Sequence, residues 1–211
     1  TFLAGIKEKS KDPVAGRLID RYITAAASFE RRIESGKKIQ ALIGKDAIDL
    51  DAQAWVNGKP LAPKDLKGKV VLLDFWAVWC GPCIATFPHL REWQEKYADK
   101  GLVIIGLTRY YNYKWDDEAG RPRRVTDGVE PEEEHGMLLQ FAAHHKLKHR
   151  FAIQKDRTVS EYYGVTGIPQ VVVIDRKGKI RIIRVGSGGK NAKDVEKMIQ
   201  QLLDPANAAG R

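Results

Sequence analysis

The sequence predicts an α/β fold, with a mixed central sheet and helices on both faces. Three observations carry that prediction. Residues 70–75 and 102–107 are short apolar runs with the length and composition of buried strands. A helical stretch, residues 82–98, lies between them, as a crossover between parallel strands requires. Near the C-terminus, residues 170–174 and 180–185 read as strands joined by Asp175-Arg176-Lys177-Gly178, a hairpin signal that adds antiparallel strands.

The elements follow in order. Residues 13–43 read as a helix. Leu18, Ile19, Tyr22, Ile23, Ala26, Ala27, Phe29 and Ile33 recur at three- and four-residue steps among charged residues. Asp12 before Pro13 suits an N-cap followed by proline at the first helical position, and Gly36 or Gly44 suits the end. This segment, residues 1–41, reads as an extension; residues 42–211 form the main domain. Asn57-Gly58 between residues 54–56 and 59–61 looks like a hairpin turn. In the 82–98 helix, Pro88 should kink the axis, because it removes a backbone donor and crowds the preceding turn. Residues 109–136 form a long insertion, read as irregular up to about Glu134. Residues 132–145 read as a helix, 151–154 as a short strand, 158–163 as a short helix and 192–203 as a terminal amphipathic helix.

Composition bounds the function. The chain has 211 residues, 43% hydrophobic, with a formal charge of +9. That is enough for one substantial core plus extensions. The positive balance favours acidic partners or surfaces, but no compact basic run and no nucleic-acid signature appears, so nucleic acid is not an expected partner. No apolar run is long enough to span a membrane. The sequence opens on Thr1 rather than Met, so a signal peptide or membrane anchor upstream of Thr1 is expected to be compatible with it.

The only two cysteines, Cys80 and Cys83, stand three positions apart. A disulfide scaffold would carry more, and a structural zinc site would need a second ligand pair. A thiolate attacks a disulfide, and a free thiol is mostly protonated at neutral pH. Cys80 lies where an apolar strand yields to a helix. Amides and the positive end of the helix dipole should therefore lower its pKa, with help from the S–H of Cys83 one turn on. Cys80 is thus read as the exposed nucleophile that forms a mixed disulfide, and Cys83 as the resolving thiol. Gly81 and Pro82 form the turn, and Pro82 stiffens it. Trp76 and Trp79 flank the pair. Trp79 is read as cover for the sulfur and an apolar contact for substrate, Trp76 equally well as core.

Asp74-Phe75-Trp76-Ala77-Val78-Trp79-Cys80-Gly81-Pro82-Cys83 resembles the active-site strand and turn of thioredoxin. Leu42-Ile43-Gly44-Lys45 and the run from Leu66 to Leu73 resemble the extracytoplasmic TlpA/ResA-like branch. Val165-Thr166-Gly167-Ile168-Pro169 and Asp175-Arg176-Lys177-Gly178-Lys179-Ile180 are similar to the family's cis-proline loop and final hairpin. The resemblance spans roughly residues 42–203. It implies a thioredoxin-like fold and a thiol–disulfide oxidoreductase acting on protein dithiols and disulfides. It also implies an extracytoplasmic location, periplasmic or membrane-anchored. No organic cofactor or metal is expected beyond the Cys80–Cys83 disulfide, and a separate donor must re-reduce it. By resemblance, Asp74 is the buried acid near Cys83, its pKa raised by burial so that it can exchange a proton. The branch often carries Asn there. Gly167, Ile168 and Pro169 face the cysteines by the same resemblance, and a cis Ile168–Pro169 bond would present the backbone of Ile168 to a substrate strand.

Two other functional classes compete with this reading. A copper-delivery protein on this fold needs a third ligand near the cysteines, commonly His, and residues 160–170 contain none. An interaction module would use the extension and the insertion as docking surfaces. His135, His144, His145 and His149 suggest a metal cluster, but a solvated basic helix end is the better reading. Arg121, Arg123 and Arg124 with Tyr110, Tyr111 and Tyr113 are read as an ordered loop beside the active site.

Overall fold

The computed structural model describes Gly5 and residues 12–208. The first residues of the extension, 1–4 and 6–11, lie outside the described residues, as do 209–211. Packing divides the chain after Ala41. On the N-terminal side, α1 runs over Pro13–Leu42. Asp12 caps it, its carboxylate accepting from the Val14 N–H at 2.8 Å. Gly36 sits inside the helix and does not end it, while Gly44, at a φ of 84°, turns the chain just beyond.

The larger unit is built on six strands: β1 Ala52–Val56, β2 Val70–Phe75, β3 Leu102–Thr108, β6 Arg150–Gln154, β7 Gln170–Ile174 and β8 Ile180–Val185. Their order across the sheet is β1-β6-β3-β2-β7-β8. Strands β2, β3 and β6 are parallel, β1, β7 and β8 antiparallel to their neighbours. Every residue of β2 is buried, as its apolar composition demands. Val70, Leu72 and Trp76 join one core cluster with Phe87, Leu90, Phe141, Val195 and Ile199. These last come from the helices α4 Phe87–Tyr97, α5 Pro131–His144 and α7 Gly189–Leu203. Each such side chain contributes about 1.5–3 kcal/mol of burial. Short helices α2 Pro63–Leu66, α3 Gly81–Ile84, α6 Thr158–Tyr162 and α8 Pro205–Ala208, with a 3-10 turn at Ala98–Lys100, lie between and beyond these elements.

Three local expectations are corrected. Asn57-Gly58 is not a hairpin turn. Strand β1 pairs with β6, and Asn57 instead donates its side-chain amide to the carbonyls of Leu147 and His149, each at 2.8 Å. Pro60 has no N–H to give to a ladder, which disfavours a returning strand. The helix after Cys80 breaks rather than kinks: α3 stops at Ile84, and Pro88 lies in the first turn of α4. A proline is tolerated in a first turn, where its missing N–H has no partner to lose. The insertion is ordered, with β4 Tyr113–Asp116 and β5 Arg121–Arg124 pairing as a separate two-stranded hairpin. Tyr113 and Trp115 alternate toward the core cluster, but each strand is only four residues long and none of its residues is fully buried, so the pattern is too short to stand out in the sequence.

Candidate active site

Strand β2 delivers the chain to the cysteines. Beyond Phe75, the Trp76 indole turns into the core, stacked on Phe141 at 5.2 Å and edge-on to Phe151 at 4.9 Å. It lies across β3 at Gly106, where an added Cβ would stand 2.7 Å from Nε1 and 3.0 Å from Phe151. Glycine is required there for close approach, not for backbone freedom. Trp76 is therefore a core residue, and it fixes the platform on which the next turn rests.

Cys80 and Cys83 form a disulfide, with Cα atoms 5.2 Å apart. Cys80 caps α3, and the Cys83 N–H points at its Sγ from 3.2 Å. Cys80 is 4% exposed and Cys83 fully buried. The order of access matches the sequence reading, but Cys80 is covered, not openly exposed. The expected helix dipole is also reduced, because α3 is only four residues long. The nearby amide supplies the local positive potential that a long helix would otherwise provide. Pro82 lies in the first turn of α3, Gly81 is exposed, and the Thr86 hydroxyl donates to the Cys83 carbonyl at 2.7 Å.

Asp74 occupies the face of β2 shared by Leu72 and Trp76, toward the cluster that holds both cysteines. It is wholly buried, and neither carboxylate oxygen has a hydrogen-bond partner among the described residues. Burial alone raises its pKa to about 7. The Ile168–Pro169 bond is cis. Pro169 is buried, Ile168 half-buried and Gly167 exposed, and the loop is tied down by Gln170, whose Nε2 donates to the Tyr163 carbonyl at 2.8 Å.

Trp79 is 52% exposed, and its ring meets Tyr111 of the insertion. The insertion reaches this point because of Glu134, which is buried on α5. Its carboxylate accepts the N–H groups of Tyr111 at 2.6 Å, Asn112 at 2.9 Å and Tyr113 at 3.2 Å. Sequence reading missed Glu134 within the run Pro131-Glu132-Glu133-Glu134. Its signal was position, since Met137, Leu138 and Phe141 follow at three, four and seven residues on one buried face. The histidines do not act as a solvated set. His149 is buried against Phe151, its pKa lowered to about 4 by burial, and His145 is half-buried against Phe141. Among the described residues, no three His, Cys, Asp or Glu side chains are grouped to hold a metal ion. No described helix is long and apolar enough to cross a membrane.

Over residues 34–202 the chain matches the Redoxin family. It is 27% identical over 175 residues to thiol-disulfide oxidoreductase ResA of Bacillus cereus, covering 83% of this chain and 82% of that protein. Thioredoxin-like protein YneN of Bacillus subtilis is 29% identical over 170 residues, 81% of this chain and 84% of its own length. Among solved structures, the thioredoxin domain of a thiol-disulfide oxidoreductase from Bacteroides vulgatus superposes with a TM-score of 0.54 at 25% identity. That match covers 74% of this chain and 97% of that one.

Proposed function

The chain belongs to the Redoxin family and is a thioredoxin-fold thiol–disulfide oxidoreductase of protein substrates, and from that premise we propose how its residues divide the work. The reduced Cys80 thiolate attacks one sulfur of a substrate disulfide and expels the other as a thiolate. The Cys83 thiolate then attacks Cys80 Sγ, closes the Cys80–Cys83 bond and releases the second substrate thiolate. Two electrons pass to the substrate. Asp74 takes the Cys83 proton as the resolving thiolate forms. Its pKa near 7 suits transfer at neutral pH.

Trp79, Gly81 and Pro82, with Gly167, Ile168 and Pro169 opposite, form the rim that receives the substrate chain. A separate dithiol donor returns the pair to its reduced form, and neither metal nor organic cofactor takes part. Resemblance to the ResA-like relatives supports an extracytoplasmic setting with an anchor upstream of Thr1. One observation carries the assignment of roles. Cys83 aims its N–H at Cys80 Sγ, and Asp74, on the β2 face turned to the same core, is a buried carboxyl whose pKa burial raises to about 7. The test is reduction of insulin disulfides with dithiothreitol as donor. The wild type should accelerate precipitation of the insulin chains, and Cys80→Ser should not. Acceleration by Cys80→Ser equal to wild type would remove the proposal.

A further inference from the structure

Beside the rim lies a cleft of about 120 Å³, open to solvent at the carboxyl ends of β2, β3 and β6. Phe75, Leu107, Tyr111 and Ile168 give it apolar walls, and Arg109 and Arg157 give it charge. Gln154 and Ser160, bonded to each other at 2.7 Å, supply the remaining polar lining. No carboxylate lines it among the described residues. The cleft shares Tyr111 with the Trp79 contact and Ile168 with the cis bond, so it opens beside the Trp79–Tyr111 pair and the cis-proline loop.

Each guanidinium group has a partner in the free protein. Arg109 lies over the Tyr111 ring, 5.7 Å from its centroid. Tyr111 is fixed in turn by the Glu134 carboxylate. Arg157 is held by Glu161 at 3.3 Å, in a pair whose side chains are both well exposed. Such a pair contributes little, so an incoming carboxylate can replace Glu161 with small loss. Arginine presents a planar fork matched to carboxylates, and two of them in one cleft that also holds Tyr111 and Ile168 select by charge.

We propose that this cleft docks an acidic segment of the protein substrate, with Arg109 and Arg157 pairing carboxylates that flank the substrate cysteine. The proposal rests on the oxidoreductase reading and adds the substrate class to it. It predicts a charge preference expressed in the attack step and weakened by salt.

The test uses three disulfide-closed peptides that differ only at two positions beside one cysteine, carrying two Glu, two Gln or two Lys. The reduced protein is mixed with each, and peptide reduction is followed by chromatography. At low salt the Glu peptide should be reduced about tenfold faster than the Gln peptide, the combined effect of two partly exposed ion pairs. The advantage should shrink at 0.5 M salt, about the regime where the Debye length falls below 5 Å. Arg109→Glu with Arg157→Glu should invert the order toward the Lys peptide. Lys64→Glu with Lys67→Glu changes net charge equally at the opposite end of β2 and should keep the order. Equal reduction of the Glu and Gln peptides by wild type overturns the acidic preference and leaves the redox reading intact. An order abolished equally by the remote pair overturns the cleft as its source. Failure to reduce any peptide overturns the redox reading itself.

Discussion

The Tyr111 ring meets the Trp79 indole edge-on, with centroids 5.7 Å apart and planes at 85°. Tyr111 belongs to the insertion and Trp79 immediately precedes Cys80, so this contact joins the added hairpin to the reactive turn. Such aromatic pairs contribute about 0.5–1.5 kcal/mol beyond their burial. What keeps Tyr111 there is the Glu134 carboxylate under its backbone.

Glu134→Ala should therefore release residues 111–113. Three N–H groups lose their shared acceptor, and the expected destabilisation is about 3 kcal/mol. Amide exchange at Tyr111, Asn112 and Tyr113 should accelerate far more than exchange within β2. Glu134→Gln keeps one oxygen and should fall between. Unchanged protection at these three amides in the alanine variant would show that the hairpin is held by other contacts.

Cys80 should be the first thiol alkylated when the reduced protein meets limiting iodoacetamide near neutral pH. Cys83 is fully buried, and its own N–H stabilises negative charge on Cys80 Sγ. Cys83→Ser should accumulate mixed disulfides with substrates, because the resolving attack is lost. Peptide mapping that finds the adduct mainly on Cys83 reverses the two roles.

Much of this site was legible because its signals are local. An apolar run and a CxxC at the start of a helix announce themselves within fifteen residues, and Cys80, Cys83 and Asp74 all belong to that stretch. The cis bond was reached through resemblance. What escaped was tertiary. Glu134 reads as an ordinary acidic residue in the first turn of a helix until the N–H donors it accepts from, more than twenty positions upstream, are known. Gly106 reads as a weak point in a strand until the Trp76 indole is seen against it. His149 reads as part of a basic surface, yet the turn after α5 folds it inward over Phe151. Periodicity reports which face an element buries, not which neighbour fills it.

Gly106→Ala should lower stability by about 1–3 kcal/mol, since the new methyl meets the Trp76 and Phe151 rings inside a packed core. Moving the Trp76 ring also shifts the platform beneath Cys80, so insulin reduction should slow. Equal urea midpoints for variant and wild type would show that the rings yield without strain.

His149 sets part of the acid limit. Its folded pKa of about 4 lies below the 6.5 of an exposed imidazole, so between these values the unfolded chain binds the extra proton. The associated stability is present above pH 6.5 and is lost as pH falls through 4, amounting to about 3 kcal/mol in all. Relative to wild type, His149→Leu should therefore gain about 3 kcal/mol of unfolding free energy as pH falls from 6.5 to 4. An identical slope in both proteins assigns the acid limit to other groups.

Asp74 acts with the opposite sign. Its folded pKa of about 7 lies above 3.8, so between those values the folded protein holds a proton that the unfolded chain has lost. Stability tied to this group is present below about pH 4 and is lost as pH rises through 7, a total of about 4 kcal/mol. Over pH 4–6.5 it runs against His149, and wild-type stability should change little there. Asp74→Asn removes the ionisation while keeping the shape. The oxidised variant should therefore exceed wild type in urea resistance at pH 8 by on the order of 3–4 kcal/mol, and match it at pH 4. Turnover should move the other way, because an amide cannot accept the Cys83 proton. The rate of resolving attack in the variant should fall at neutral pH and recover as rising pH ionises Cys83 directly. Loss of turnover without added stability at pH 8 would mean that the carboxylate is solvated in the folded protein. Added stability with unchanged turnover across pH 6–9 would mean that the buried acid plays no part in proton transfer.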